Sequence, residues 1–440
     1  MKQKLICLCL LLAALTMLTG CMAGLEQMYC LPKRSEDALN LQSSIDSAMA
    51  GLTYSSPISG ENQQMVQTAD LDGDGEQEYL VFAKSSSDKP LKILIFSLER
   101  GKYILQTTLD SNGTAFDQVE YVQMDGYSGL ELVVGRQVSD QVLRSVTVYS
   151  FHGGDAHTLM SANYTKFLTC DLNSNGLKEL MILRPGQTDS DNGVAELYSI
   201  HDGLLERSNE ASMSESADHL KRILTGKLQD GEPAVYVAST VGENAIITDV
   251  FAIVDGSFRN VSFSNESGTS VQTLRNYYVY ATDIDGDGVV ELPDLIHMTP
   301  MDVSRAAERQ YLIRWYAMRL DGTEVDKQFT FHNYVGGWYF QLNRQWVSRV
   351  TVIQSGYAHD FYIWDNSFTK AEKMLTIFAY TGPDRENQAI ENEHFVLHRT
   401  ESVVYAGVLE DRAYDLGITK DDVVNGFHLI QQEWKTGETD

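Results

Sequence analysis

Two stretches of this chain place oxygen ligands at the spacing a hard cation needs. The first is Asp70-Leu71-Asp72-Gly73-Asp74-Gly75-Glu76-Gln77-Glu78. Aspartates at its positions 1, 3 and 5, the backbone carbonyl of Glu76 at position 7 and Glu78 at position 9 can together supply most of the six to eight oxygens that Ca²⁺ accepts. The glycines permit the tight backbone that wraps an ion. The same pattern returns as Asp283, Asp285, Asp287, the carbonyl of Val289, and Glu291. A weaker copy keeps its oxygens with fewer charges: Asp171, Asn173, Asn175, the carbonyl of Leu177, and Glu179. In Gln123, Asp125, Tyr127 and Glu131 an aromatic ring has taken position 5, and a copy near Lys227 has lost nearly all its oxygens. Those last two read as structural turns. A solvated Asp-Gly turn is the plain alternative for every copy.

Other chemistries leave weaker traces. The ten histidines form no HExxH pair; His394 and His398 flank Phe395-Val396-Leu397 in a strand-like run, a poor zinc arrangement. No Gly-x-Ser-x-Gly elbow, phosphate loop or dinucleotide fingerprint occurs. Trp315, Trp338, Trp346 and Trp364 could stack on a sugar or partner, or fill the core between sheets. With 61 acidic against 34 basic residues the formal net charge is −27, which repels the phosphates of nucleic acid. The charge also keeps the body off anionic lipid, so membrane affinity has to come from an anchor.

The elements around the acidic loops repeat. Taken from Asp70, the loop starts recur after 53 and 48 residues and then twice after about 56. That is the size of a four-stranded β unit. In each unit an apolar strand leaves the loop and a hairpin follows, with turns at Glu99-Arg100-Gly101, Gly153-Gly154, His201-Asp202-Gly203 and Asp255-Gly256. Such dipeptides supply the positive φ of tight hairpins. Sheets of this kind bury both faces only when stacked on neighbours, and radial stacking gives a propeller. An EF-hand or dockerin half is the rival for the loop at Asp283, with Asp294 at position 12, but Pro293 and Pro300 speak against the helix it needs.

These loops resemble those of the FG-GAP/VCBS-type repeats, the calcium-loop β-propellers related to integrin α-chain heads. The resemblance spans roughly Gln63 to Asn333 and lacks the Phe-Gly and Gly-Ala-Pro signatures. It implies calcium that staples a blade and does no chemistry.

At the N-terminus, Lys2 and Lys4 precede the apolar run Leu5 to Leu18, the pattern of a signal peptide. Leu18-Thr19-Gly20-Cys21 resembles the lipobox of bacterial lipoproteins, which implies cleavage before Cys21 and lipid on that residue. Cys30 and Cys170 are then one disulfide or two thiols. The expected organisation is a signal peptide over 1–20 and a tether over 21–60 with a short helix at 35–49. β-Propeller-like repeats follow over 61–335, then a C-terminal α+β domain over 336–440. A single seven-bladed propeller is the alternative. Thr419 is expected to cap a final helix whose apolar side is Val423, Val424, Phe427 and Ile430.

The fold class is therefore mainly β. The expected function is that of a non-catalytic, membrane-anchored envelope lipoprotein, calcium-stabilised, which binds a protein or glycan outside the cytoplasm. The alternative is an envelope polysaccharide hydrolase or lyase with its site in the propeller channel.

Overall fold

A computed structural model describes residues 36–138, 143–186, 188, 191–277, 279–299 and 310–431. The signal peptide, Cys21 and Cys30 lie outside the described residues. The chain divides into two compact units.

The first unit comprises the chain up to Pro57, Gln64–Asp70 and Gly75–Gly113. It holds one antiparallel sheet in the order Thr53–Tyr54, Glu78–Lys84, Leu91–Glu99, Lys102–Ser111, with Val66–Ala69 also paired to Glu78–Lys84. The helix Glu36–Ala48 packs Ile45 into a cluster with Val81, Leu94 and Phe96. Ser44 donates to the Tyr103 carbonyl at 2.7 Å, and the Asn40 side chain accepts the Tyr103 N–H at 2.7 Å. The segment expected as a tether thus carries a docked helix, with Leu39 turned outward.

The second unit comprises Ile58–Gln63, Leu71–Asp74 and the chain from Thr114 onward. Five antiparallel sheets follow one another in it. The earliest runs Ala115–Val122, Glu131–Gln137, Arg144–Ser150, His157–Tyr164. Next come Lys166–Cys170, Glu179–Arg184, Val194–His201, Leu204–Ser212, and then Leu220–Lys227, Pro233–Val241, Ala245–Val254, Ser257–Asn260. Glu291–His297, Tyr311–Met318, Glu324–Asn333 and Trp338–Leu342 make the fourth, which Phe427–Leu429 closes as a fifth strand. The last has the order Val350–Ser355, Ala358–Ile363, Glu372–Thr381, Val403–Leu409, Phe395–Arg399.

Side-chain alternation explains why these sheets stack. In Glu179–Arg184, Leu180 and Ile182 join Val133, Val146 and Val148 of the preceding sheet, while Met181 and Leu183 join Val235, Val237 and Phe251 of the following one. Tyr236 and Val250 then meet Leu292 and Tyr316, and Leu312, Phe329 and Phe331 meet Val350, Val352 and Phe361. A strand buried on both faces has to be apolar at every position, which is the content of Leu180-Met181-Ile182-Leu183. Each large side chain so buried contributes about 1.5–3 kcal/mol.

The expected hairpins form with positive φ at both central residues: Arg100 and Gly101, Asp202 and Gly203, Asp255 and Gly256. Gly153 and Gly154 also adopt positive φ.

The described residues contain six antiparallel sheets of four or five strands. One expectation changes. The final helix is Lys420–Gly426, capped as expected by Thr419 in a reciprocal box with Asp422, but it stops before Phe427. The backbone of Phe427–Leu429 instead pairs with Trp338–Phe340, an edge that would otherwise leave its hydrogen bonds unmade. The change of texture near residue 335 falls in the turn between Asn333 and Trp338, neighbouring positions of one hairpin. Cys170 is a buried free thiol, its pKa pushed up to about 12 by burial.

Candidate metal centres

The loop 283–291 is built around its first and last residues. Asp283 accepts backbone N–H groups from Gly286 at 2.7 Å, Asp287 at 3.1 Å and Gly288 at 2.8 Å. These bonds curl the loop so that its early side chains turn inward. Glu291 starts the strand Glu291–His297 and is 0% exposed; its Oε2 accepts the Ile284 N–H at 3.1 Å. One carboxylate oxygen each from Asp283, Asp285 and Glu291 comes within 4.8 Å of the others. A strand follows Glu291, so the EF-hand alternative is excluded here.

Asp287 does not join that cluster. Its Oδ2 takes the Lys327 ammonium at 2.7 Å, and the same ammonium lies 4.0 Å from Glu291 Oε1. Lys327 stands on Glu324–Asn333 and carried no mark in the sequence as part of this site. The amide of Val289 donates to Asp287 at 2.8 Å, and its neighbour Val290 donates to the Lys227 carbonyl at 3.0 Å, which pins the loop's seventh and eighth positions.

The electrostatics record the crowding. Burial, reinforced by Asp285 and Asp287, pushes Glu291 up to about 8. Burial and the neighbouring Asp287 also raise Asp285, whereas the hydrogen bond from Lys327 holds Asp287 below its usual range.

Glu291 Oε1 is buried and has no hydrogen-bond partner. Its raised pKa keeps the carboxyl protonated near neutral pH, with the Lys327 ammonium no nearer than 4.0 Å; ionising it in so buried a place is costly unless a cation comes closer. The ligands are all hard oxygens, the set that suits Ca²⁺ or Mg²⁺ rather than a thiophilic metal. The residues present therefore fit a divalent ion held by Asp283, Asp285 and Glu291.

The loop 70–78 repeats this design. Asp70, Asp72 and the buried Glu78 form the other carboxylate group that fits an ion. Gly75 donates to Asp70 at 3.2 Å and Asp74 to Asp72 at 3.1 Å through their backbone N–H groups, while the side chains of Asp74 and Glu76 face solvent. Gly73, at φ 76°, is required here: a Cβ on it would lie 2.3 Å from the Ser128 carbonyl carbon.

In the loop 171–179, Leu172 donates to Glu179 at 2.9 Å as Ile284 does to Glu291, but the Asn173 amide donates to the other Glu179 oxygen. A carboxamide of the chain thus occupies the place a cation would take. Asp171 accepts the Asn175 and Gly176 amides at 3.1 and 2.9 Å, and Asn175 accepts from Leu177 at 2.8 Å. The loop 123–131 closes similarly, with the Gln123 side chain donating to the Tyr127 and Gly129 carbonyls and Met124 donating to Glu131 at 2.6 Å. Burial pushes Glu131 up to about 7. At Leu228 the turn is held by backbone bonds from Leu228 to Glu232 and from Gly231 to Leu228, and its Asp230 side chain accepts the Leu320 N–H at 3.1 Å.

Among the described residues, the histidines join no group of three that fits an ion; the His394 ring nitrogen meets the Gln388 carbonyl at 2.9 Å. Trp315 and Trp338 are core residues, 1% and 0% exposed.

No family model matches this chain, and no curated protein does. Among solved structures it is similar to an exotype rhamnogalacturonan lyase, YesX, at 12% identity and a TM-score of 0.29, covering 75% of this chain and 67% of that one. It is also similar to the rhamnogalacturonan lyase YesW, at 11% identity and a TM-score of 0.29, covering 72% of this chain and 70% of that one. Likeness this distant carries no argument about fold or activity. No helix among the described residues is long and apolar enough to cross a membrane.

Proposed function

We propose that this chain is a non-catalytic binding module whose sheets form a propeller of FG-GAP/VCBS type, stapled by calcium. In this reading it is held to the outer face of a cell membrane by lipid on Cys21, and it engages a protein or glycan of the envelope. The observation that carries the calcium reading is the buried Oε1 of Glu291, which has no hydrogen-bond partner, beside Asp283 and Asp285. Support for the repeat reading comes from position: loops 123–131, 171–179 and 283–291 each lead into a strand through a buried glutamate that accepts the backbone N–H of the loop's second residue.

The ion's part is mechanical. Bound, it offsets the repulsion among three carboxylates and fixes the path by which the chain enters the strand Glu291–His297. Asp283 shapes the loop through its amide bonds, Glu291 ties it to the strand, and Lys327 draws Asp287 aside. Because the ion binds the folded loop and not the open chain, it stabilises the fold by mass action, about 2.7 kcal/mol at a hundredfold excess over Kd.

Thermal melting of the full chain in calcium and in EGTA tests this. Calcium is expected to raise the melting temperature, and Glu291→Gln to reduce that rise. Identical melting in calcium and EGTA would overturn the reading.

A further inference from the structure

A second feature lies between Glu291–His297 with its neighbours and the hairpin Val350–Ser355/Ala358–Ile363. A cavity of about 250 Å³ opens there, with Tyr277, Tyr311, Tyr334, His332, His359 and Gln354 among the residues that line it. No charged side chain is among the described residues that line it.

Its histidines are incompletely bonded. Both ring nitrogens of His332 are buried without a partner, the ring lying flat on Tyr339 at 5.0 Å and tilted against Tyr334 at 5.3 Å. His359 is 5% exposed, stands edge-on to Trp338 at 5.1 Å, and its Nδ1 is also buried and unpartnered. Burial lowers His359 to about 4 and His332 to about 3, so both rings are neutral at physiological pH. The buried nitrogens are closed to solvent, so these rings serve the cavity as wall. Gln354 is the cross-strand partner of His359 and adds an exposed carboxamide at the rim. Tyr277 sits 5.8 Å from Tyr334 and 6.4 Å from Tyr311, with 42% of its surface open to solvent.

We infer that this cavity binds one neutral pyranose residue at the end of a glycan. Ligand pockets for drug-sized molecules run from about 300 to 1,000 Å³, so a cavity of this size suits a single ring. A pyranose offers an apolar C–H face to the tyrosines and a rim of hydroxyls, each both donor and acceptor, to the carboxamides of Gln310 and Gln354. Uncharged walls on a strongly acidic chain disfavour anionic sugars. The inference rests on the reading of this chain as a binding module and names the ligand class for it.

The test is saturation-transfer NMR and tryptophan fluorescence on the full chain. The probes are the methyl glycosides of glucose, galactose, mannose and N-acetylglucosamine, with methyl galacturonoside as the charged counterpart. At least one neutral probe is expected to bind with a Kd of about 0.1–10 mM. Tyr277→Ala and Gln354→Ala, both at solvent-open positions, are each expected to weaken it about tenfold. Binding by none of the neutral probes overturns the proposal, as does binding that survives both exposed substitutions, or a preference for galacturonoside over galactoside. Melting in calcium and EGTA, run on the same samples, separates the two readings: a calcium response without sugar binding removes only this one, and sugar binding without a calcium response removes only the staple.

Discussion

Glu291 accepts the backbone N–H of Ile284 at 3.1 Å through one oxygen and buries the other without a hydrogen bond. The first half of that arrangement recurs between Met124 and Glu131 at 2.6 Å and between Leu172 and Glu179 at 2.9 Å. The second half does not, because Asn173 donates to the remaining Glu179 oxygen. The clasp from position 9 to position 2 is thus common to these three loops, and in 171–179 a side-chain amide completes it.

On the calcium reading, Lys327 would compete with the ion. Its ammonium holds Asp287 at 2.7 Å and stands 4.0 Å from Glu291 Oε1, where it repels an incoming divalent cation. Lys327→Met should tighten calcium binding at this loop about tenfold, the factor given by ~1.4 kcal/mol of removed repulsion. Calorimetric titration of the variant against the parent chain measures it; an unchanged or weaker affinity would contradict the assignment.

The third loop can be converted. Asn173→Asp replaces a donor to Glu179 by a like charge, so in EGTA the variant should lose about 1–3 kcal/mol of stability. Calcium should restore that loss and fill an additional site. Denaturant midpoints with and without calcium give the answer, and a variant indifferent to calcium would count against a shared loop design.

His359 predicts an acid limb in the stability profile. Its folded-state value of about 4 lies below the 6.5 of the free side chain, so between these values the unfolded chain binds more protons than the folded one. Its contribution is present above pH 6.5 and is lost as the pH falls through about 4, a loss on the order of 3 kcal/mol. Urea midpoints taken in saturating calcium should therefore drop between those pH values, and the drop should be smaller in His359→Phe. An equal drop in both chains would show that His359 is not buried as described.

Lipid anchoring rests on Leu18-Thr19-Gly20-Cys21, which the described residues do not include. Cys21→Ser should shift the protein from the membrane pellet to the soluble fraction on cell fractionation. Retention in the pellet would mean that something other than Cys21 holds it there.

Much of the sheet architecture was legible because it is local. Asp-Gly and Arg-Gly turns fix hairpins through positive φ, and the apolar runs declare strands covered on both faces. Two features were not legible, for non-local reasons. Residues 261–290 are mostly irregular, leaving the bridge from Thr282 to Glu291 where a first strand was expected. Phe427–Leu429 closes its sheet from about 85 residues further along the chain than its partner, and its apolar pattern equally suits a helix. At the acidic loops, residue types and spacing anticipated the grouping of Asp283, Asp285 and Glu291, and likewise of Asp70, Asp72 and Glu78. They could not show Lys327 arriving from another strand, or Asn173 turning its amide onto Glu179.

Equilibrium calcium binding to the full chain, measured beside Glu291→Gln, tests the central claim most directly. The parent chain should bind one ion for each intact loop, 70–78 and 283–291, and the variant should lose the ion at 283–291 while keeping the other. A parent chain that takes up no calcium at millimolar concentration, or a Glu291→Gln chain with the parent's stoichiometry and affinity, would contradict the account.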